Sequence, residues 1–354
     1  MPKHGMLVRI ILGTAAAAVL AALAVTSAGA ASARRSGGSL VGAGSSLVAP
    51  AVQGVWGPAY QAAKGVGIQY SPVGSGAGIA QITARTVDFG ASDAPMTSDQ
   101  AHHCHGCIEI PWALAATGPV YNIPGVNGLQ LHLTGPVLAR IYLGQITSWS
   151  DPALKRLNPH LKLPGKKITV VHRSDGSGDT FAFTDYLSKV SRTWASRVGK
   201  ATAVSWPTGE GGKGNAGVAA IVSSTPGAIG YVSTFYVYQN HLHMARILNS
   251  SGRYTFPSVK SIESAAQLVK RVPANTAISI TDPPRSAKFR NAWPISTFTY
   301  VIVPIKSPKA SQLRAFIGWA LGARQQKAIR KLVFAPMPTL VARVAHSRLK
   351  KIHP

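Results

Sequence analysis

Three short loops rich in glycine and hydroxyls, Gly42–Leu47, Gly74–Gly78 and Arg173–Thr180, each stand between an apolar run and a helix-like segment. Strand, glycine turn and helix in repetition build parallel strands crossed over by helices, so the fold class is α/β. Leu40–Ala43, Gly67–Val73 and Val87–Ala91 read as strands, and Val52, Trp56 and Tyr60 recur at helical spacing after the first loop. A second series follows: a strand at Ile168–His172, a helix from Thr180 to about Lys189, a helix at Gly217–Ser223 and a strand at Ala228–Val232. Two apolar strands, Gly118–Ile123 and Ile295–Ile305, read as crossings between the series. Beyond the second come amphipathic helices at Ser311–Leu321 and Gln325–Val333, then Pro336-Met337-Pro338 and a basic last helix, Thr339–Ile352. A lobe interrupted by another and then resumed builds a hinged cleft. The expected division is residues 39–118 plus 297–354 as lobe 1 and 119–296 as lobe 2.

The N-terminus differs from the rest. Lys3 and Arg9 precede Ile10–Val25, which carries no charge, and small residues follow at Ala28-Gly29-Ala30 and Ala31-Ser32-Ala33. That order predicts a secretory signal peptide over residues 1–30, cleaved near 30–33, with an uncleaved anchor as the alternative. The first cysteine is Cys104, so no lipid attachment is expected near the cleavage zone. In an oxidising compartment Cys104-His105-Gly106-Cys107 closes a small disulfide. His102, His103 and His105 crowd the pair and leave a zinc or copper site as the alternative. Haem attachment is excluded, because Ile108 follows the second cysteine.

With 37 Lys+Arg against 11 Asp+Glu the formal charge is +26, which raises nucleic acid as a partner. The basic residues are scattered, dense only at Lys166-Lys167, over 264–290 and from Arg324 to Lys351. Zinc-finger spacing, a helix-turn-helix pattern and aromatics interleaved with Arg/Lys are all missing, so no nucleic-acid partner is expected. A chain with few carboxylates has few groups to protonate in acid, which points to an acidic extracytoplasmic medium. A small anion is drawn to such a surface.

Unpaired N–H groups and hydroxyls at the start of a helix make each of the three loops an anion site. None matches the G-x-x-x-x-G-K-[ST] pattern of nucleotide hydrolysis. Of the 11 acids, Asp93, Asp175 and Asp179 sit in such turns. A carboxylate suits an anion site only if the ligand carries a proton. Phosphate has an O–H to donate, whereas sulfate would set two acceptors face to face. Asp93 is the candidate acceptor, with a turn or helix-capping role before Pro95 as the alternative. Arg173 supplies a fork of donors, held in place by Asp175.

Gly42-Ala43-Gly44-Ser45-Ser46, Val73-Gly74-Ser75-Gly76-Ala77-Gly78, Val87-Asp88-Phe89-Gly90-Ala91-Ser92-Asp93-Ala94-Pro95 and Arg173-Ser174-Asp175-Gly176-Ser177-Gly178 resemble the bacterial periplasmic phosphate-binding proteins. Tyr142-Leu143-Gly144-Gln145-Ile146, Gly211-Gly212-Lys213-Gly214-Asn215, Gly227-Ala228-Ile229-Gly230-Tyr231-Val232 and Trp293-Pro294-Ile295 extend the likeness in the same order. The resemblance implies a two-lobed type II periplasmic-binding-protein fold that closes on inorganic phosphate and delivers it to the permease and ATPase subunits of an ABC importer. It implies a monomer with no catalytic residue, cofactor or metal, in the periplasm or at the cell surface. Carried over by position, the ligand contacts fall on Ser45, Ser46, Leu47 through its backbone N–H, Ser75, Asp93, Arg173, Ser177, Gly178 and Asp179. Asp175 and Thr180 stand in support, Thr180 as a hydroxyl donor. Asp179 occupies a position where a hydroxyl residue is familiar, so only its backbone N–H is carried over. The rival readings are a secreted phosphatase-like enzyme on the same scaffold and a binder of another oxyanion, arsenate or sulfate. The enzyme would need a metal cluster or an activated nucleophile, and strand alternation turns His172 away from the side that Arg173 faces.

Overall fold

The strand–turn–helix alternation is realised around a nine-stranded sheet. The computed structural model describes residues 37–354, all within one compact unit. The signal-peptide expectation lies outside the described residues. In chain order the strands are β1 (Gly37–Gly44), β2 (Val66–Ser71), β3 (Phe89–Ser92), β4 (Cys107–Tyr121), β5 (His132–Thr134), β6 (Thr169–Arg173), β7 (Glu210–Gly212), β8 (Ala228–Ser233), β9 (His243–Met244), β10 (Arg246–Leu248), β11 (Tyr254–Thr255) and β12 (Ser296–Pro304). The large sheet runs β2-β1-β3-β12-β4-β8-β6-β7, with β9 beside β4, while β11-β10-β5 form a small second sheet.

Pairing is parallel at the two ends, β2-β1-β3 and β8-β6-β7. It is antiparallel through β12 and β4 in the middle. β4 is the long member. Its first ten residues pair with β12 and its last five with β8, so one strand serves both parallel series. The sequence reading placed the crossing at Gly118–Ile123, yet the strand begins at Cys107. The stretch Ile108–Ala116 carries Glu109 and Pro111, and a proline argues against a central strand. Pro111 is accommodated where the register shifts between Thr299 and Tyr300 of β12, a bulge beside the proline.

Each end of the sheet has its own aromatic core. Trp56, Phe89, Trp112 and Phe316 meet with ring centroids 5.2–6.4 Å apart on the β1 side. Val52, Trp56 and Tyr60 all point into that core, from a helical run in which a π-helical turn, Val52–Trp56, separates Ala49–Ala51 from Gly57–Lys64. On the other side Tyr142, Phe183 and Tyr231 pack together, with Phe183 stacked on Tyr231 at 4.4 Å. Trp149 and Trp293 are fully buried, their indole N–H groups donating to the carbonyls of Gly227 and Thr117. The last helix, Thr339–Leu349, lays Val341, Ala345 and Leu349 inward. Arg348 of that helix donates to the carbonyl of Glu109 at 3.1 Å.

Cys104 and Cys107 are joined by a disulfide, and Arg85 braces that loop by donating to the carbonyls of Cys104 and His105. Among the described residues no helix is long and apolar enough to cross a membrane.

Candidate functional site

The three glycine loops converge where the two parallel series meet. At the end of β1, Gly44 has φ +143°, and a Cβ there would lie 2.0 Å from the carbonyl oxygen of Ala91. Only glycine lets β1 and β3 end side by side, which sets Ser45 beside Asp93. Ser45 Oγ is 2.7 and 2.6 Å from the two Asp93 carboxylate oxygens. It also accepts the N–H groups of Leu47 and Val48, at 3.0 and 3.2 Å. The Leu47 N–H, expected to face a ligand, is therefore bonded to Ser45 in this structure, and the Leu47 side chain is buried in the β1-side core.

The second loop opens the helix Ser75–Thr83, preceded by Gly74 at φ +97°. Ser75 Oγ accepts the Gly178 N–H at 3.0 Å and the Asp93 N–H at 3.3 Å, and lies 3.5 Å from Asp93 Oδ2. The third loop reaches across to it. Gly76 N–H donates to the Gly176 carbonyl at 2.9 Å. A Cβ on Gly178 would meet Asp93 Cβ at 2.4 Å. The two series thus meet through the Gly76–Gly176 backbone bond and the Gly178–Ser75 bond, with glycine at 178 leaving room for Asp93.

Arg173, at the end of β6, is 3% exposed, so its charge must be compensated within the protein. Nε and Nη2 donate to Asp175 at 2.7 and 2.5 Å, and Nη1 donates to Asp179 Oδ2 at 3.2 Å. Asp179 also accepts from Thr117 Oγ1 at 2.5 Å and Asn215 Nδ2 at 2.7 Å. Asn215 donates from the same nitrogen to Ser46 Oγ at 3.0 Å, and its carbonyl oxygen accepts the Ser233 N–H. Ser177 caps its helix by accepting the Thr180 N–H. Thr180, expected as a donor to a ligand, instead pairs its hydroxyl with that of Tyr231 at 2.6 Å. A cavity of about 240 Å³ lies alongside, bounded by Ser46, Pro72 and Val73 on one side and Asp175, Lys213, Asn215 and Tyr236 on the other.

The structure thus gathers these residues into two adjacent hydrogen-bonded sets, Ser45, Ser75, Asp93 and Gly178 in one and Ser46, Arg173, Asp175 and Asp179 in the other, joined along the chain at Ser45-Ser46 and Gly178-Asp179. Thr117 and Asn215 belong to the second set, and the sequence reading does not include them. Asn215 sits at the start of a helix after a glycine loop, a signal that would have found it. Thr117 is a lone hydroxyl in an apolar strand and gives none. His172 stacks on Trp206 at 4.7 Å, with Nδ1 3.1 Å from the carbonyl oxygen of Arg173. Among the described residues no basic side chain bonds the Ser177 hydroxyl, which accepts the Thr180 N–H.

Burial raises Asp93 to about 8, with the neighbouring Asp179 adding to the shift and Ser45, Arg173 and Ser75 opposing it. Burial likewise raises Asp179. At Asp175 burial is outweighed by the bonds and charge of Arg173, and the group stays below its ordinary value. Glu109 on β4, buried and accepting the Met96 N–H at 2.7 Å, is raised to about 7, again mainly by burial. A carboxyl raised on folding contributes stability that is full below its unfolded value of roughly 4 and is lost as pH rises through the folded value. For Asp93 and Glu109 the loss runs from about pH 4 to about 8. Denaturation in urea should therefore show a more stable protein at about pH 5 than at about pH 8. The reverse order would mean that other groups dominate the linkage.

A family model described as a PBP superfamily domain matches residues 28–324. The chain is 41% identical over 300 residues to the phosphate-binding protein PstS of Xylella fastidiosa (strain Temecula1), covering 84% of this chain and 81% of that one. It is 39% identical over 316 residues to PstS of Haemophilus influenzae, covering 88% and 92%. Among solved structures it superposes on a high-affinity periplasmic phosphate-binding protein bound with phosphate, with a TM-score of 0.68 at 19% identity over 87% of this chain and 93% of that one. The phosphate-binding protein of Stenotrophomonas maltophilia superposes with a TM-score of 0.66 at 18% identity, over 88% and 93%.

Proposed function

The chain belongs to the PBP superfamily and, within it, to the phosphate-binding proteins, and from that premise we propose that it captures inorganic phosphate outside the membrane for an ABC importer. One observation carries this reading. Asp93 accepts from Ser45 and Ser75 of one parallel series, and the Gly178 N–H at the start of the Gly178–Val190 helix of the other series donates to that same Ser75 hydroxyl. Ionised, Asp93 is satisfied by a tetrahedral anion with an O–H and faces an acceptor in one without; below about pH 8, where burial keeps a proton on Asp93, that distinction weakens.

The two series act as lobes, 39–118 plus 297–354 and 119–296, that close on the ligand and replace its water with fixed donors. Ser45, Ser46, Leu47, Ser75, Asp93, Arg173, Ser177, Gly178 and Asp179 form its surroundings, with the backbone N–H groups at the two helix starts as the principal donors. The exposed Lys213, lining the cavity, draws the anion in. The protein is exported by its signal peptide, works as a monomer without cofactor, and passes phosphate to the permease and ATPase subunits. No bond is broken, in keeping with relatives named as binding proteins rather than enzymes.

Calorimetric titration with phosphate and then sulfate tests this. Tight one-to-one phosphate binding, indifferent to salt because a buried site is little screened, is expected, with sulfate binding absent above about pH 8, where Asp93 is ionised. Asp93→Asn should cut the phosphate-to-sulfate affinity ratio by about 10–100-fold, the worth of roughly 1–3 kcal/mol for one buried mismatch. An unchanged ratio would remove Asp93 from the role. Weak, salt-sensitive binding of both anions would overturn the reading as a whole.

A further inference from the structure

The positive charge of the chain is unevenly placed. All 11 Asp and Glu lie before residue 283, and the 72 residues from 283 to 354 carry 14 Lys and Arg and no acid. Over residues 36–282 the count is 19 cations against 11 acids. The fold turns the acid-free end into a surface. In the run formed by Ala323–Ala328 and Ile329–Leu332, Arg324, Lys327, Ala328 and Lys331 are exposed at helical spacing. In the last helix Thr339, Arg343, His346, Ser347 and Lys350 form one exposed stripe, while Val341, Ala345 and Leu349 face inward.

A cavity of about 590 Å³ lies between these two basic stripes. Leu321, Pro336, Met337 and Ala342 give it an apolar lining, and the exposed Lys327, Arg330 and His346 stand around it. Among the described residues, Arg330 alone of the cations on this face has an acidic partner, Glu263 at 2.9 Å. That pair is open to solvent and holds the guanidinium weakly. A small hydrated anion has no use for an apolar lining, and an apolar ligand has none for the cations. An anionic headgroup above an acyl chain answers both.

We propose that this face docks on a bilayer surface rich in anionic phospholipid. One lipid places its headgroup among Lys327, Arg330 and His346 and the upper part of an acyl chain in the cavity. Attachment is peripheral, since among the described residues no helix is long and apolar enough to cross the membrane. It does not depend on what the cleft holds. Each Lys or Arg close to an anionic surface contributes about fivefold in affinity.

The test is co-sedimentation of the chain from Ser36 onward, a compact unit by itself, with two kinds of vesicle. One is phosphatidylcholine alone, the other phosphatidylcholine mixed with phosphatidylglycerol. Binding at least about tenfold tighter to the mixed vesicles is expected. Lys327→Gln, Lys331→Gln and Arg343→Gln together should weaken it by about 100-fold, three cations at about fivefold each. Lys155→Gln, Arg156→Gln and Lys162→Gln remove the same charge from another exposed surface and should leave binding within about twofold. Ala342→Phe keeps the charge but narrows the cavity, at an expected cost of about fourfold for each methylene it displaces. Equal binding to the two kinds of vesicle would overturn the proposal. Equal losses in the two triple variants would overturn it too, by assigning the attraction to net charge rather than to this face. Binding of inorganic polyphosphate, with Ala342→Phe leaving vesicle affinity unchanged, would assign the face to a polyanion in solution and overturn lipid docking. Phosphate titration of the Lys327/Lys331/Arg343 variant should match that of the unaltered protein, so each of these failures leaves phosphate capture standing.

Discussion

Arg173→Met lowers the unfolding free energy by about 3–5 kcal/mol at neutral pH, the expected result of stripping a buried ion-pair cluster of its cation. The guanidinium is bonded to Asp175 through two nitrogens and to Asp179 through the third. Methionine fills much of the volume, so the loss reports charge rather than a cavity. Its dependence on pH separates the two. In the native protein Arg173 keeps Asp175 below its ordinary value against the opposing effect of burial. Without it both carboxyls are raised, and a raised carboxyl gives stability that is full in acid and lost as pH rises. The deficit should therefore shrink as pH falls from about 7 towards about 4. Urea denaturation of both proteins across that range measures it, and a deficit of equal size throughout would show that packing, not charge, is what was removed.

Gly178→Ala is expected to weaken phosphate binding by about 100-fold while leaving the melting temperature nearly unchanged. Gly178 is the first residue of the helix Gly178–Val190, where alanine is better tolerated than glycine. The obstacle lies across the cleft: the new Cβ would sit 2.4 Å from Asp93 Cβ, 2.5 Å from Oδ2 and 2.7 Å from the Asp93 nitrogen. Two of these are atoms of a fixed strand end, so closure must give way. Overpacking of this kind costs roughly 1–3 kcal/mol, the upper end of which is about 100-fold in affinity. Titration calorimetry with phosphate, beside a thermal melt, separates closure from folding. Native affinity in the variant would show that the helix start and Asp93 do not need this approach to bind.

The parts of the fold that were legible are those that glycine punctuates. β1, β2, β3 and the helices after the three loops lie within a few residues of their expected positions, because a turn with a special backbone demand leaves a mark on the sequence. β4 was read only over its last third, since Ile108–Ala116 is buried on both faces and has no alternation to detect. The helix Gly214–Ser224 begins three residues before the expected Gly217, and the omission concealed Asn215. That residue bridges Ser46 and Asp179, which lie far apart along the chain. Asp179 and Thr180 illustrate a different limit. Their positions followed from the motif, but which partner each side chain prefers depended on Thr117, Asn215 and Tyr231, which come together only when the chain is folded.

The position of β12 governs the timing of folding. It lies between β3 and β4 in the sheet, yet the ribosome makes it some two hundred residues after β3. Phe316 and Leu349, which complete the aromatic core around Trp112, emerge later still. The N-terminal third of the chain therefore cannot close its own sheet while the rest is being synthesised. Contacts so distant along the chain form slowly. If the chain is exported unfolded, as proposed above, the delay is protective. β12 and the helices that follow it lock the structure, so the leading segment cannot complete its sheet until nearly the whole chain is available.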